Sequence, residues 1–418
     1  MGALTAANLE FARTHPGDRG ERQPVHVMYG GAHLFKRDLC RKSGALALRA
    51  LSEYAPDAEA FATAMGVSAE VSRIVYARVL EKLRREPVES FTLDFEDGYG
   101  FRSNAEEDAT AFSAAVEVAR GLEEGTLPEF IGIRIKPLAE ETKQRAFRTL
   151  ERFLGALLDE TGGRLPGKFS VTLAKITVPE QVSALVDALD RLGVKRVELM
   201  IETPQSLTSL PRLVEAARGR CVAVHFGAYD YTAALGINGA TLLHQACDFA
   251  RSTMQVQLAG TGVWLSDGVT NVLPVPVHRG DGLSTEQAAQ NRAGVQRAWR
   301  IHYQHIRHAL DQGFYQGWDL HPAQLPARFA AVYAYFLEGM DAASERLRNF
   351  ISQAARATLA GDVFDDAATG QGLLNYFLRA MNCGAIPASD VPGLTGLSVE
   401  ELRSASFSKI LEGRKAAV

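Results

Sequence analysis

The chain has 418 residues, of which 46% are hydrophobic and 22% charged, and its net charge is −4. That balance is ordinary for a soluble globular protein, and its sign argues against broad binding to nucleic acid or to an anionic membrane. The length suits one large barrel with an added domain, or two or three smaller domains.

The four cysteines, Cys40, Cys221, Cys247 and Cys383, are far apart and form no C-x-x-C pair. This excludes a zinc or disulfide framework and predicts a reduced, cytoplasmic setting. No apolar run is long enough to span a bilayer. Glu10, Arg13, His15 and Asp18 interrupt any signal-peptide core near the start.

Residues 1–23 are polar and read as an arm or a short helix. The first strand is Val25 to Gly31, followed by the basic residues Lys36, Arg37, Arg41 and Lys42, either an anion-binding cluster or a solvated face. Helical spacing covers 67–85. The second strand, from Phe91, ends in Asp94, Glu96 and Asp97, and a helix over 105–121 follows. Ile131 to Pro137 is the third strand, with Arg134 inside an apolar run, and 139–159 is an amphipathic helix. Val171 to Ile176 is the fourth, ending at Lys175, before a helix that Pro179 opens.

The fifth strand runs Val197 to Glu202, and the Thr203-Pro204 pair breaks it. The sixth, from Cys221, is followed by Asp230. A helix over 241–258 leads to a seventh strand within 263–276, whose prolines blur its end. A long helix over 285–312 leads to an eighth strand ending at His321-Pro322. Strands alternating with helices in this way predict a (β/α)8 TIM barrel over 24–325. Beyond it, 326–418 reads as an all-helical extension, with helices over 323–339, 341–359, 370–380 and 398–412.

In parallel α/β folds the chemistry sits at the carboxyl ends of the strands. Glu202 and Asp230 lie at neighbouring ends, a natural seat for a hard divalent cation such as Mg²⁺. Asp94, Glu96 and Asp97 repel one another and need a cation or basic partners. A buried Arg134 needs a carboxylate partner or an anionic ligand. Lys175 suits a charge partner to the acids, with a Schiff-base lysine as the alternative. His302, His305 and His308 progress around one helix and read as surface. His321 reads either as a hydrogen-bonded structural histidine or as a ligand contact. Asp366, with Asp365 behind it, reads either as a helix N-cap or as a general base delivered by the extension. Gly30, Gly31 and Gly227 suit tight turns near a ligand.

The motifs in order resemble the citrate lyase beta-subunit-like proteins of the HpcH/HpaI aldolase superfamily. Leu93-Asp94-Phe95-Glu96-Asp97 is similar to their "DLED" element, Gly132 through Pro137 to their arginine strand, and Ile201-Glu202-Thr203 to "IET". Phe226-Gly227-Ala228-Tyr229-Asp230 resembles "FGAED", Ser266-Asp267-Gly268-Val269 the "DGV" of strand seven, and His321-Pro322-Ala323-Gln324 "IHPxQ". The departures are Tyr229 in place of an acid, and Trp318 and Asp319 where the family has a lysine. Phe364 through Thr369 distantly resembles the "EDRAT" segment of the malate synthase helical plug.

The resemblance implies a phosphoenolpyruvate/pyruvate-type barrel that is a Mg²⁺-dependent carbon–carbon lyase, or catalyses the reverse condensation, with Mn²⁺ able to substitute. The substrate would be a 2-oxo acid or an acyl-CoA, and the enzyme a homo-oligomer. It implies Glu202 and Asp230 as metal ligands, and Arg134, Gly227, Ala228 and His321 at the substrate. Asp94, Glu96, Asp97 and Lys175 would support them. One rival is a malate-synthase-like Claisen condensation using Asp366. The other is a non-catalytic barrel that binds a metabolite or a partner.

Overall fold

Eight short runs rich in β-branched and aromatic residues pair in register as parallel strands: β1 (His26–Gly31), β2 (Ser90–Asp94), β3 (Phe130–Ile135), β4 (Phe169–Leu173), β5 (Val197–Ile201), β6 (Cys221–Phe226), β7 (Trp264–Val269) and β8 (Gln316–Asp319). They close into one barrel in sequence order, β1 pairing with β8 through His26 and Gly317. The computed structural model describes residues 2–280, 282–352, 358–360, 363–365, 367–404 and 406–416. The TIM barrel with a helical extension is therefore the observed architecture.

Alternation along each strand sorts the side chains. On β3, Ile131, Ile133 and Ile135 face outward and are buried under the helix Lys143–Thr161, whose Phe153, Leu154 and Leu157 meet them. Gly132 and Arg134 face inward. At the amino end of the barrel the inward residues are apolar: Phe130 and Trp264 meet edge to face, centroids 5.9 Å apart, and with Val222 and Ala223 they form a cluster of their own that plugs this mouth. Lys168 and Arg196 cover the rings of Phe130 and Trp264.

Several details differ from the sequence reading. Two further helices, Leu39–Tyr54 and Ala58–Met65, precede the helix Ser72–Arg85. β7 stops at Val269, five residues before the first of the prolines, Pro274. Gly2–Thr14 is a helix with no buried residue. The extension is not purely helical, since Thr358–Ala360 and Val363–Asp365 pair antiparallel. The helix over 341–359 ends at Ser352 among the described residues. The helix Leu325–Glu338 packs on the barrel, between Thr285–Asp311 and Ser72–Arg85.

The remaining C-terminal helices gather around Phe350, Leu374, Phe377 and Leu402. They meet the barrel at its amino-terminal mouth. Arg379 donates to Gln23 at 3.0 Å and Asp18 at 3.2 Å, and stacks 4.0 Å from the centre of the Tyr315 ring.

The histidines of Thr285–Asp311 correct the sequence reading. His302 and His305 are buried, because this helix is flanked by both strand and helix neighbours. Thr270 bonds both, to His302 Nδ1 at 2.8 Å and His305 Nδ1 at 3.0 Å, and Asp319 lies 2.9 Å from His302 Nε2. These partners are distant in sequence, so helical spacing alone could not show them.

A charge network locks β1, β2 and β8 from outside. Asp319 also meets His26 at 2.9 Å and Arg328 at 2.9 Å. The His26 Nε2 accepts from the Glu89 amide at 3.0 Å. The Glu89 carboxylate, fully buried, takes Lys82 at 2.5 Å, Arg22 at 2.9 Å and the Val25 amide at 2.7 Å. Burial alone would raise the Glu89 pKa, but Lys82 and Arg22 outweigh it and hold it at about 2. We predict that Lys82→Met lowers unfolding stability by about 3–5 kcal/mol, since it leaves a buried charge without its nearest partner. A carboxyl depressed in the folded state stabilises above its unfolded pKa, and that contribution fades as pH falls toward about 2. Urea titrations between pH 7 and pH 2 should therefore show the wild-type advantage over Lys82→Met shrinking in acid.

Candidate active site

The carboxyl ends of the strands enclose a cavity of about 390 Å³. Tyr29, Asp94, Arg134 and Trp318 line it from the strands. Asp97, Gly98, Glu202, Gly227, Ala228, Tyr229, Asp230, Val269 and Leu320 complete its rim.

Arg134 is the buried cation of this site, 2% exposed. Its Nε donates to Asp94 Oδ1 at 2.8 Å and its Nη2 to Asp94 Oδ2 at 2.5 Å, a bidentate pair. Nη1 lies 3.4 Å from Glu96 and 3.4 Å from the Met200 sulfur. The guanidinium sits 5.0 Å from the Tyr29 ring centre and 5.5 Å from that of Trp318, so the aromatic faces carry part of its charge. Asp94 also accepts from the amides of Glu96 at 2.9 Å and Gly98 at 2.7 Å. A Cβ on Gly98 would lie 2.6 Å from Asp94 Oδ2, so the turn needs a glycine there. Asp94 is thus a fixed orienting acid with both oxygens occupied.

Glu96 and Asp97 leave β2 on the loop above and meet Lys175. The lysine ammonium bonds Glu96 Oε1 at short range and both Asp97 oxygens at 2.9 Å. Burial by itself lowers the Lys175 pKa, but these acids outweigh it and hold the ammonium above the ordinary lysine range. A lysine so held is a charge partner and a poor nucleophile.

Lys175 has a second role through its backbone. Its φ of 48° is left-handed, which non-glycine residues adopt rarely. This turn aims its amide at Glu202 Oε1, 2.6 Å away. Glu202 is 1% exposed, and burial, then the nearby Asp230 charge, raise its pKa to about 7 against the pull of that amide and of Arg134. Gly227 gives Oε2 its room, since a Cβ there would lie 2.5 Å from it. Among the described residues no donor bonds Oε2. Asp230 is exposed, in the first turn of Ala228–Ala234, and lines the same cavity.

This donor set fits a hard divalent cation. It offers oxygen only, from two carboxylates, one of them buried and raised toward protonation by that burial. Mg²⁺ commonly takes one or two carboxylates and completes its octahedron with water and substrate. No group of three or more His, Cys, Asp or Glu side chains suited to a metal occurs among the described residues.

Other residues from the sequence reading fall elsewhere. His321 does not line the cavity. Its Nδ1 accepts from the Ala323 amide at 3.1 Å, capping the turn Pro322–Gln324, and burial lowers its pKa. Asp366 lies outside the described residues, and so does the Asp365 side chain. The helix Ala367–Asn382 that follows them is held through Arg379 at the opposite mouth. Lys36, Arg37, Arg41 and Lys42 pair with acids such as Glu117, Glu124 and Asp38, none of which lines the cavity. Sequence reasoning missed Tyr29, Trp318, Val269 and Leu320 as lining residues. For Tyr29 and Trp318 the signal was strand alternation, which turns both inward.

Solved structures share this barrel. A citrate lyase from Burkholderia xenovorans LB400 superposes with a TM-score of 0.57 at 19% identity, over 89% of this chain and 96% of that one. Protein CitE from Mycobacterium tuberculosis, in complex with magnesium, acetoacetate and coenzyme A, gives 0.51 at 16%, over 87% and 99%. The motif resemblance is therefore matched by the fold. No curated protein matches the chain. The family described as "Domain of unknown function (DUF6986)" matches residues 4–410, nearly the whole length, and the chain belongs to it.

Proposed function

We propose that the protein is a Mg²⁺-dependent carbon–carbon lyase, or the corresponding condensing enzyme, acting through an enolate of a 2-oxo acid or an acyl-CoA. The observation that carries this reading is the Glu202–Asp230 pair, which shares one cavity with the Arg134 guanidinium. The similar CitE structure, in complex with magnesium, acetoacetate and coenzyme A, supports the reactant class.

A divalent cation held by Glu202 and Asp230 supplies Lewis-acid polarisation of a substrate carbonyl. The chain does the rest. The Lys175 amide fixes Glu202, so its second oxygen points at the cavity. Asp94 holds Arg134 by Nε and Nη2, and Nη1, which lies 3.4 Å from Glu96 and from the Met200 sulfur, is the nitrogen assigned to a substrate oxygen, where a developing negative charge would be met by a preorganised donor. Tyr29 and Trp318 form an aromatic floor that keeps water from the reacting carbon. In this reading Glu96, Asp97 and Lys175 close the side of the cavity and balance its charge.

The malate-synthase-like reading needs Asp366 as base. Asp366 lies outside the described residues. No observation favours it over the lyase reading. The non-catalytic reading is decided by turnover.

Three outcomes are expected. Glu202→Gln should fold normally yet lose more than about tenfold in Mg²⁺ affinity by calorimetry, since even outer residues of metal sites cost that much; unchanged affinity would remove the metal assignment. Asp94→Asn should keep Mg²⁺ affinity while kcat/KM falls by about 100-fold, the usual penalty for a misplaced reactive group. Finally, NMR in D₂O should show metal-dependent loss of methyl or methylene protons from pyruvate, 2-oxobutyrate, oxaloacetate or acetyl-CoA, abolished by EDTA. Ligand-induced thermal stabilisation without any exchange or turnover would favour the binding-only barrel.

A further inference from the structure

The cavity at the carboxyl ends of the strands is divided by the order of the barrel. The strands close in sequence, so β8 stands opposite β4. Among the described residues, every charged side chain lining the cavity comes from the arc β2 to β6. These are Asp94 on β2 and Asp97 after it, Arg134 on β3, Glu202 after β5 and Asp230 after β6. The remaining arc, β7, β8 and β1, supplies Val269, Trp318, Leu320 and Tyr29. One wall therefore suits the polar, reacting end of a substrate, and the facing wall suits a hydrocarbon group.

The second wall is continuous. Val269 and Trp318 are register partners on β7 and β8, and the Tyr29 and Trp318 rings lie 4.4 Å apart. Leu320, 40% exposed, extends it to the rim. Tyr229 borders it with its hydroxyl already engaged, donating to the Val269 carbonyl at 3.0 Å. The wall is not the top of an aliphatic core, the usual filling of such barrels. Next to Tyr29 the interior is polar: the His225 ring meets the Tyr29 ring edge-on and pairs with Glu198 at 3.2 Å, and Glu198 accepts from Ser170 and Thr172, each at 3.1 Å. The apolar side chains are gathered at the mouth, where they line the cavity.

The charges point the same way. Arg134 is held by Asp94 and Glu96, and Lys175 by Glu96 and Asp97. Asp97 and Asp230 add negative charge at the rim. A second carboxylate on the substrate would meet cations that are already paired, beside a wall of hydrocarbon, and a poorly paired carboxylate in such surroundings is costly. An alkyl or aryl group gains instead from each methylene or ring edge it removes from water.

We propose that the substrate carries an uncharged alkyl or aryl group on the carbon that is joined or released, and that Tyr29, Val269, Trp318 and Leu320 select it. This deepens the lyase reading and rests on it. In the condensing direction a proton leaves the carbon next to the nucleophile's carbonyl, and that carbon bonds to the carbonyl carbon of an apolar aldehyde. The aldehyde oxygen takes a proton and becomes a hydroxyl. Cleavage reverses each change and releases the same aldehyde, so no oxidant or further reactant enters.

The test is a matched pair of acceptors, succinic semialdehyde and 4-methylpentanal, in which an isopropyl group replaces the carboxylate. The nucleophile is whichever compound shows metal-dependent proton exchange in D₂O. We expect kcat/KM for 4-methylpentanal to exceed that for the acid by at least about tenfold, the lower end of what a hydrophobic pocket discriminates. Leu320→Lys places a cation on the half-exposed end of this wall and should cut that ratio by at least about tenfold, toward the acid. The ratio is taken within one protein, so a loss of folded enzyme does not move it. A wild-type ratio below about tenfold, turnover of neither aldehyde, or a ratio untouched by Leu320→Lys overturns the proposal and leaves the lyase reading in place. Absence of exchange in every nucleophile removes the lyase reading, and this proposal falls with it.

Discussion

The Arg134–Asp94 pair is the contact on which the barrel's upper half depends. A guanidinium this deep is tolerable only when its charge and donors are met. Asp94 meets two nitrogens, the Tyr29 and Trp318 rings meet its face, and Glu96 stands at the edge. Each of those groups then acquires its own requirement. Asp94 needs the Glu96 and Gly98 amides, so the loop after β2 must turn tightly. Glu96 and Asp97 need Lys175, so the end of β4 is drawn over them. The backbone of that same lysine fixes Glu202. One buried cation thus propagates through three strand ends to the metal-ligand candidate.

The two mouths of the barrel are built from opposite materials. The amino-terminal mouth is sealed by aromatic rings and capped by the C-terminal helices through Arg379. The carboxyl-terminal mouth adds carboxylates, a guanidinium and small residues to its aromatic floor. Between them lies a polar interior in place of the usual aliphatic layers. Outside, Asp319, His26, Glu89 and Lys82 form a chain of buried charge that ties the closing strands β1 and β8 to the helices.

What the sequence disclosed, and what it hid, follows from how local each signal is. The strands were legible because apolar runs ended in Gly, Pro or acids, and Glu202 and Asp230 because they stand where such runs end. Arg134 was legible as a charge inside Ile-rich sequence, and its partner lay among the acids of the preceding strand end. Tyr29 and Trp318 were missed because an aromatic on a strand looks the same whether it faces a helix or a ligand. His302 and His305 were misplaced because their polar partners Thr270 and Asp319 lie on other elements, beyond the reach of helical spacing. The short strands of the extension escaped notice because three-residue pairings leave no periodic trace.

The docking of the C-terminal helices at the far mouth has a consequence for how this architecture can change over evolutionary time. The plugged end carries cohesion and the open end gathers the carboxylates, and the helical extension is coupled within its own chain to the first of these. Substitutions in the extension can therefore accumulate, and its surface can be retailored, without disturbing the carboxylates on the opposite rim. Such modular separation keeps the packing demands of one end of the barrel apart from the placement of side chains at the other.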